Sequence, residues 1–342
     1  MVVLPDFFLD CLVTYEGDVK RLCRAIIKVA KHKGGGLHGI KQTISRGGNA
    51  ANTAAALAAL GAKVHPIIET SSLGLQLLEF YLKPLKVDLS HVKTCSGVAL
   101  TTALELIHQG ERVNVMMSDP GSLTEFGPAD FTSRDIQLLR EADYVCVFNW
   151  AATRRWGTKL AENAFNIAKK EGKGKTYYDT SDPSSKKENI PELVKRVLSS
   201  DVVDIFSVNE NEAFCYASQL SKEANSNRTA EKPGEMAKES ARILATKLSA
   251  RIDLHTTDFA GSFTNQNEVI VPTFEVPVLR VTGAGDAWNA GNIFGDAIGL
   301  PDSQRLTLAN AVAAHYISSP TAEHPTWPKL SEFCSTAVTK NT

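Results

Sequence analysis

The sequence predicts an α/β protein in three layers, a mostly parallel central sheet covered by helices on both faces, with a small β layer attached. Three observations carry that prediction. Between Tyr144 and Thr257, short β-branched or aromatic runs alternate with segments of helical period, the pattern of a parallel sheet with covered faces. Earlier, Gly97 to His108 and Arg112 to Met117 read as two strands joined by Gln109-Gly110-Glu111, a hairpin signal. Two glycine-led turns, Gly47-Gly48-Asn49 and Gly283-Ala284-Gly285-Asp286, each open a helix.

Taken in order, Val2 to Val13 reads as a first strand despite Pro5. Asp18 to Lys33 carries Val19, Leu22, Cys23, Ile26, Ile27 and Ala30 at helical spacing, with Asp18 as N-cap and Gly34-Gly35-Gly36 as the stop. The polar run Lys41 to Arg46 reads as an exposed strand, and an Ala-rich helix then extends to Gly61. Val64 to Glu69 is a strand and Leu73 to Leu82 a helix. After the hairpin come strands at Tyr144–Asn149, Thr176–Asp179, Val202–Val208 and Ile252–Thr257. Helices at Thr158–Lys170, Pro191–Leu198 and Met236–Leu248 lie between them, and Ser221 to Glu235 is a polar loop or helix start. Val276 to Val281 is a β-branched run read as a last strand, and Leu306 to Ile317 is an amphipathic helix.

Composition narrows the function. The 342 residues, 43% of them hydrophobic, suffice for a large core, and length alone allows two domains or one with an appendage. Lys+Arg 37 against Asp+Glu 38 gives a net charge of -1, with no basic footprint for nucleic acid. The longest small-apolar segment, Ala54 to Ala62, is too short to cross a bilayer. No signal-peptide pattern opens the chain, so a cytoplasmic location is expected. The six cysteines form no Cys-x-x-Cys pair and are read as buried reduced thiols; with eight scattered histidines they give zinc no support.

The turns carry the chemistry. A helix start bares N–H groups and the positive end of a dipole, a ready phosphate site. Gly283 and Gly285 would let a ligand approach the backbone. Asp286, in the first turn, would sit where a carboxylate can take a hydroxyl proton as the oxygen attacks phosphorus; the plainer alternative is a helix cap on a packing turn. Likewise Asn49 and Asn52 suit vicinal hydroxyls, but small residues there also suit close helix packing.

Together with Asn209-x-x-Glu212, which follows a predicted strand, these motifs resemble the ribokinase-like (pfkB) family of sugar and nucleoside kinases, from Asp10 to about Ile317. The resemblance implies one kinase domain over residues 1–342, with lid elements at about 14–46 and 97–119, and often a homodimer through the lid. It implies that Asp286 is the catalytic base and that Gly283, Ala284 and Gly285 form the anion hole. Asn209 and Glu212 would organise Mg2+, through water, with the phosphates of ATP; ADP as donor stays open. Asp10, Gly47, Gly48, Asn49 and Asn52 would line the acceptor pocket for a sugar or sugar phosphate, or alternatively a nucleoside. Thr257, Gly261 and Asn310 would border the nucleotide.

Departures from the family pattern are equally specific. Arg280-Val281 replaces the usual Asp-Thr, which leaves monovalent-cation activation open. The segment Asp18 to Lys33 adds a helix to the lid. Arg46 and Arg280 flank the two turns; if both face one pocket they suit an anionic acceptor, and otherwise they are solvated or paired. A dinucleotide-dependent dehydrogenase needs a glycine where Trp288 stands, and no P-loop pattern exists. A non-catalytic binding module on a kinase scaffold is the alternative from another class.

Overall fold

A computed structural model describes residues 1–95, 97–221 and 233–340. The first apolar run makes two strands, not one. β1 (Val2–Leu4) joins the central sheet, while β2 (Phe8–Asp18) belongs to a second sheet. The turn at Pro5–Phe7 between them lets one short stretch serve both. The helix α1 (Val19–Lys31) starts where expected, with the Asp18 side chain accepting from Lys20 N at 2.7 Å. The exposed strand β3 (Lys41–Gly47) runs into the Ala-rich α2 (Asn49–Ala59).

The expected strand from Val64 to Glu69 also divides. β4 (His65–Pro66) edges the central sheet, and β5 (Glu69–Ser71), which leads into α3 (Ser72–Leu82), pairs with β6 (Lys93–Cys95). The hairpin forms as read, from β7 (Ala99–His108) and β8 (Glu111–Asp119). Then α4 (Ser133–Glu141), β9 (Tyr144–Phe148), α5 (Gly157–Asn166), β10 (Lys175–Asp179), α6 (Ile190–Leu193) and β11 (Ile205–Asn209) alternate. They are followed by α7 (Glu210–Leu220), α8 (Pro233–Lys247) and β12 (Arg251–His255). Most of the polar segment from Ser221 to Glu235 lies outside the described residues.

Two further strands, β13 (Phe259–Phe263) and β14 (Glu268–Pro272), form an antiparallel edge that sequence reasoning missed. The run Val276 to Val281 is not a strand. Only β15 (Phe274–Glu275) forms, and Val278, Leu279 and Val281 are exposed, with no strand ladder to join. The chain ends with α9 (Ala284–Ala297), α10 (Asp302–Ser318), α11 (Trp327–Thr336) and β16 (Val338–Thr339), which pairs with β15.

The central sheet has the order β14-β13-β12-β11-β10-β9-β1-β4, parallel from β12 to β4. Successive residues of its strands enter opposite cores. Val145, Val147, Tyr178 and Phe206 pack under α5 and α7, whereas Tyr144, Cys146, Phe148 and Tyr177 meet α2 and α9. Period-two alternation with apolar residues on both sides marks a sheet covered on both faces. The second sheet has the order β3-β2-β7-β8; β2 and β7 are parallel and the outer pairs antiparallel. All six cysteines are free, but only Cys146 is buried; Cys11, Cys95 and Cys215 are half-buried, and Cys23 and Cys334 are exposed. Among the described residues no helix is long and apolar enough to cross a membrane.

Behind the strands' carboxyl ends, α10 is pinned by a buried ion pair. Arg305 Nη1 donates to Asp253 Oδ2 on β12 at 2.9 Å, and both side chains are inaccessible to solvent. Removing one partner of such a pair leaves a buried charge partly uncompensated. Arg305→Met is therefore expected to cost about 3 kcal/mol of unfolding free energy, read from the urea midpoint. A midpoint equal to wild type would show that Arg251, which also bonds Asp253, suffices alone.

Candidate active site

The site grows from two helix N-termini that meet above the carboxyl ends of the parallel strands. α2 begins at Gly48, whose φ of +91° favours glycine and whose added Cβ would stand 2.8 Å from Phe7 Cα. Its first N–H groups are met by a carboxylate from far upstream. Asp6 accepts from Asn49 N at 2.9 Å, Ala50 N at 2.8 Å and Asn149 Nδ2 at 2.7 Å. Burial raises the Asp6 pKa, and these hydrogen bonds oppose the rise. Sequence reasoning missed Asp6, because a cap 43 residues from its helix has no local signature.

α9 begins at Gly283, in the left-handed conformation at φ +85° and with no side-chain cap. Ala284, Gly285 and Asp286 form its first turn. The Asp286 carboxylate is buried and reaches across to α2: Asn49 Nδ2 donates to Oδ1 and Asn52 Nδ2 to Oδ2, both at 2.8 Å. Burial pushes the Asp286 pKa up to about 8; nearby Asp179 and Asp6 add to the rise, and the two amides oppose it. Each amide is itself held in orientation. Arg46 Nε donates to Asn52 Oδ1 at 3.0 Å, and Ser181 Oγ donates to Asn49 Oδ1 at 3.1 Å. With their oxygens so occupied, both amides must present NH2 to Asp286.

Asp10 lies on the second sheet, facing the same space. Its carboxylate fills the place of a Gly47 Cβ, which would stand 2.2 Å from Oδ2. Burial, then the charge of Asp6, raises its pKa to about 6 against a hydrogen bond from Thr101. Ser181 and Asn149, with φ of 56° and 52°, complete the floor. Both are strained non-glycine residues at the ends of β10 and β9, a position where strain marks function, and neither stood out in the sequence.

The two arginines part company. Arg46 enters the site, where Nη2 donates to His324 Nε2 at 3.2 Å, and His324 stacks on Tyr316 with 4.7 Å between ring centroids. Burial, with Arg46 beside it, holds the His324 pKa well below its usual range, so the ring is neutral and accepts. Arg280 does not join Arg46; its guanidinium is taken by backbone carbonyls at the end of α10. Of the two arginines, only Arg46 bonds a side chain of the site; Arg280 takes the other alternative, paired with backbone carbonyls and set against the Tyr316 ring.

On the nucleotide side, Asn209 and Glu212 form a reciprocal cap on α7. Glu212 N donates to Asn209 Oδ1 at 3.0 Å, and Asn209 N and Nδ2 donate to the two Glu212 oxygens at 2.9 Å each. Burial, then Asp179, raises the Glu212 pKa well above normal. Among the described residues, no three His, Cys, Asp or Glu side chains are placed to hold a metal directly. A buried acidic cluster with its first oxygens already bonded fits a hydrated Mg2+ held through water.

Thr257 lies beside α7, its N–H donating to Glu210 Oε1 at 3.2 Å. Gly261 is not in a loop; it is buried inside β13. Asn310 has both amide atoms committed, to Trp288 Nε1 and to Pro272 O, so it supports the α9–α10 packing.

A family model described as pfkB family carbohydrate kinase matches residues 21–330. The chain belongs to that family. A ketohexokinase of Haloferax volcanii is 36% identical over 83 residues, which is 24% of this chain and 20% of that protein. Among solved structures, fructokinase from Xylella fastidiosa with bound ATP superposes with a TM-score of 0.73 at 18% identity, over 98% of both chains. Arabidopsis thaliana ribokinase complexed with ribose and ATP gives 0.72 at 17% over 97% of both. An adenosine kinase from Sinorhizobium meliloti gives 0.71 at 18% over 98% of both. These similarities give the pfkB chain a ribokinase-like fold.

The amide clamp on Asp286 yields a test. Arg46→Met removes the donor that orients Asn52 and leaves that amide free to flip. The turnover number is expected to fall about tenfold, the scale of one charged hydrogen bond, with nucleotide KM unchanged. A variant with wild-type turnover would separate Arg46 from the carboxylate.

Proposed function

We propose that this pfkB protein transfers the terminal phosphoryl group of ATP to a hydroxyl of a sugar or sugar phosphate. The observation that carries the reading is Asp286: a buried carboxylate in the first turn of a long helix, beside N–H groups that no side chain caps. Asp286 takes the proton of the attacking hydroxyl, and its raised pKa suits a base working near neutral pH. The N–H groups of Gly283, Gly285 and Ala284, the last donating to Val281 O at 3.1 Å before phosphate binds, donate to the charge developing on the transferring group. Asp10, Asn49 and Asn52 orient the acceptor from the second sheet and α2. Asn209 and Glu212 hold Mg2+ through water; when bound, the ion neutralises phosphate charge.

The second sheet serves as the lid and excludes water on closing. Register puts Asp10, Thr101 and Ser118 on one of its faces and Ile44, Leu100, Val115 and Met117 on the other. The latter four are exposed, which supports a homodimer through that face. A cytoplasmic location goes with the reading.

The test is a panel of sugars, phosphosugars and nucleosides with Mg-ATP, scored by thermal shift and by nucleotide turnover. Asp286→Asn is expected to lose roughly a thousandfold or more in turnover, within the range general-base catalysis supplies, while still binding nucleotide. Because the base must be ionised, kcat/KM should rise with pH through an apparent pKa near the raised value of about 8 and level off above it. Turnover by the Asn variant within about tenfold of wild type, or a profile flat across that range, would remove Asp286 from the role.

A further inference from the structure

Arg280 stands three residues before the anion hole, and the proposed reaction leaves it without a task. Its guanidinium is half-buried, and all its hydrogen-bond partners are backbone carbonyls. Nη1 donates to Tyr316 O at 3.0 Å and to Ser319 O, and Nη2 donates to Pro320 O at 3.1 Å. The first carbonyl belongs to the last turn of α10 and the others to the turn that follows. A helix end of this kind carries the negative pole of the dipole and carbonyls without intrahelical donors. Three carbonyl oxygens thus face one guanidinium, and oxygen donors of this kind are also what a hard cation takes.

Neighbouring groups of the same helix end brace the anion hole. Leu279 N donates to Ile317 O at 2.9 Å, and Tyr316 Oη donates to Thr282 O at 3.3 Å. Tyr316 Oη also occupies the place of a Gly283 Cβ, at 2.7 Å. The irregular approach to Gly283 is therefore fastened to the end of α10, with Arg280 at the centre of the joint. In the pattern this chain resembles, Asp-Thr stands at 280–281 and goes with monovalent-cation activation. A carboxylate at 280 would complete an anionic oxygen cage for such an ion. A guanidinium instead fills the cage, and a second cation there would meet like charge at contact distance.

We propose that Arg280 is a built-in replacement for a monovalent cation, so that the anion hole is braced without K+ or Na+. The stability part of this inference stands on the geometry alone; only its rate part rests on the proposed kinase activity.

The full chain is melted in KCl, NaCl and tetramethylammonium chloride at matched ionic strength, and turnover with Mg-ATP is measured in the same salts on a sugar from the panel. Wild type should show the same Tm in all three and rates within about twofold, the size of non-specific salt effects on screened charges. Arg280→Asp should melt lower in tetramethylammonium and recover by several degrees in KCl, as a specifically bound ion stabilises by mass action. Its rate should rise in parallel. Arg280→Lys keeps the charge and should stay indifferent to the salt. If Arg280→Asp does not fold, Arg280→Ala is read in the same salts, where the bare carbonyls should likewise respond to K+. A saturable K+-specific rise in the wild-type Tm or rate would overturn the inference, as would opened variants that treat K+ and tetramethylammonium alike. If no panel compound turns over, the proposed activity fails alone and the melting data still decide the matter.

Discussion

Two helices that point their positive ends at one spot would repel each other without negative charge between them. α2 and α9 do this, and the carboxyl groups of Asp6 and Asp286 stand between them as hydrogen-bond acceptors. The arrangement is self-consistent in both directions. Both groups are buried and so held above their usual pKa, and the hydrogen bonds they accept, from the first N–H groups of α2 and Asn149 at Asp6 and from Asn52 and Asn49 at Asp286, favour the ionised forms. Much of the surrounding sequence follows from keeping this meeting point tight. The α2 face is nearly all alanine, Gly48 presses its backbone on Phe7, and Asn49 and Asn52 bridge the gap between the helices.

The second layer of order is rotational. An amide next to a carboxylate can present either its NH2 or its oxygen, and only one choice stabilises the anion. Arg46 and Ser181 remove the wrong choice from opposite sides. Asn289 links the same system downward, donating to Asp179 Oδ2 at 2.6 Å while Tyr177 and Ser207 donate to its oxygen. The buried face of α9 is thus a hydrogen-bonded ladder standing on β10 and β11. Its polar groups are satisfied, as a dry interior requires.

The glycine-led turns and the strand–helix alternation were legible because their signals are local: a turn residue, a cap and a period. Asp18 as a cap and the hairpin around Gly110 are of that kind. Asp6, Asn149, Ser181 and His324 were not legible, since their partners lie from 43 to 278 residues away. Val276 to Val281 misled for the opposite reason. Its β-branched composition is a real strand preference, but the segment is drawn to the end of α10, where Leu279 N donates to Ile317 O and Arg280 to Tyr316 O. Arg280 and Asn310 are read from the sequence as flanking the acceptor and the nucleotide, and the carbonyls and the indole that claim them are features of packing alone.

The break at Pro5–Phe7 has one more consequence. The chain leaves the central sheet at Leu4 and enters the second sheet at Phe8, and it returns from β3 into α2 through Gly47 and Gly48. Both crossings touch the floor of the site. Asp6, fastened at three points, stands at the first of these crossings, and Asp10 lies on the second sheet just beyond it. Asp10 on β2 and the helix cap Asp6 are four residues apart in the chain, one on the second sheet and one at the break before it. A shift of the second sheet would change the distance between Asp6 and Asp10, and, because Arg46 stands on β3, it would also bear on the amide clamp at Asp286.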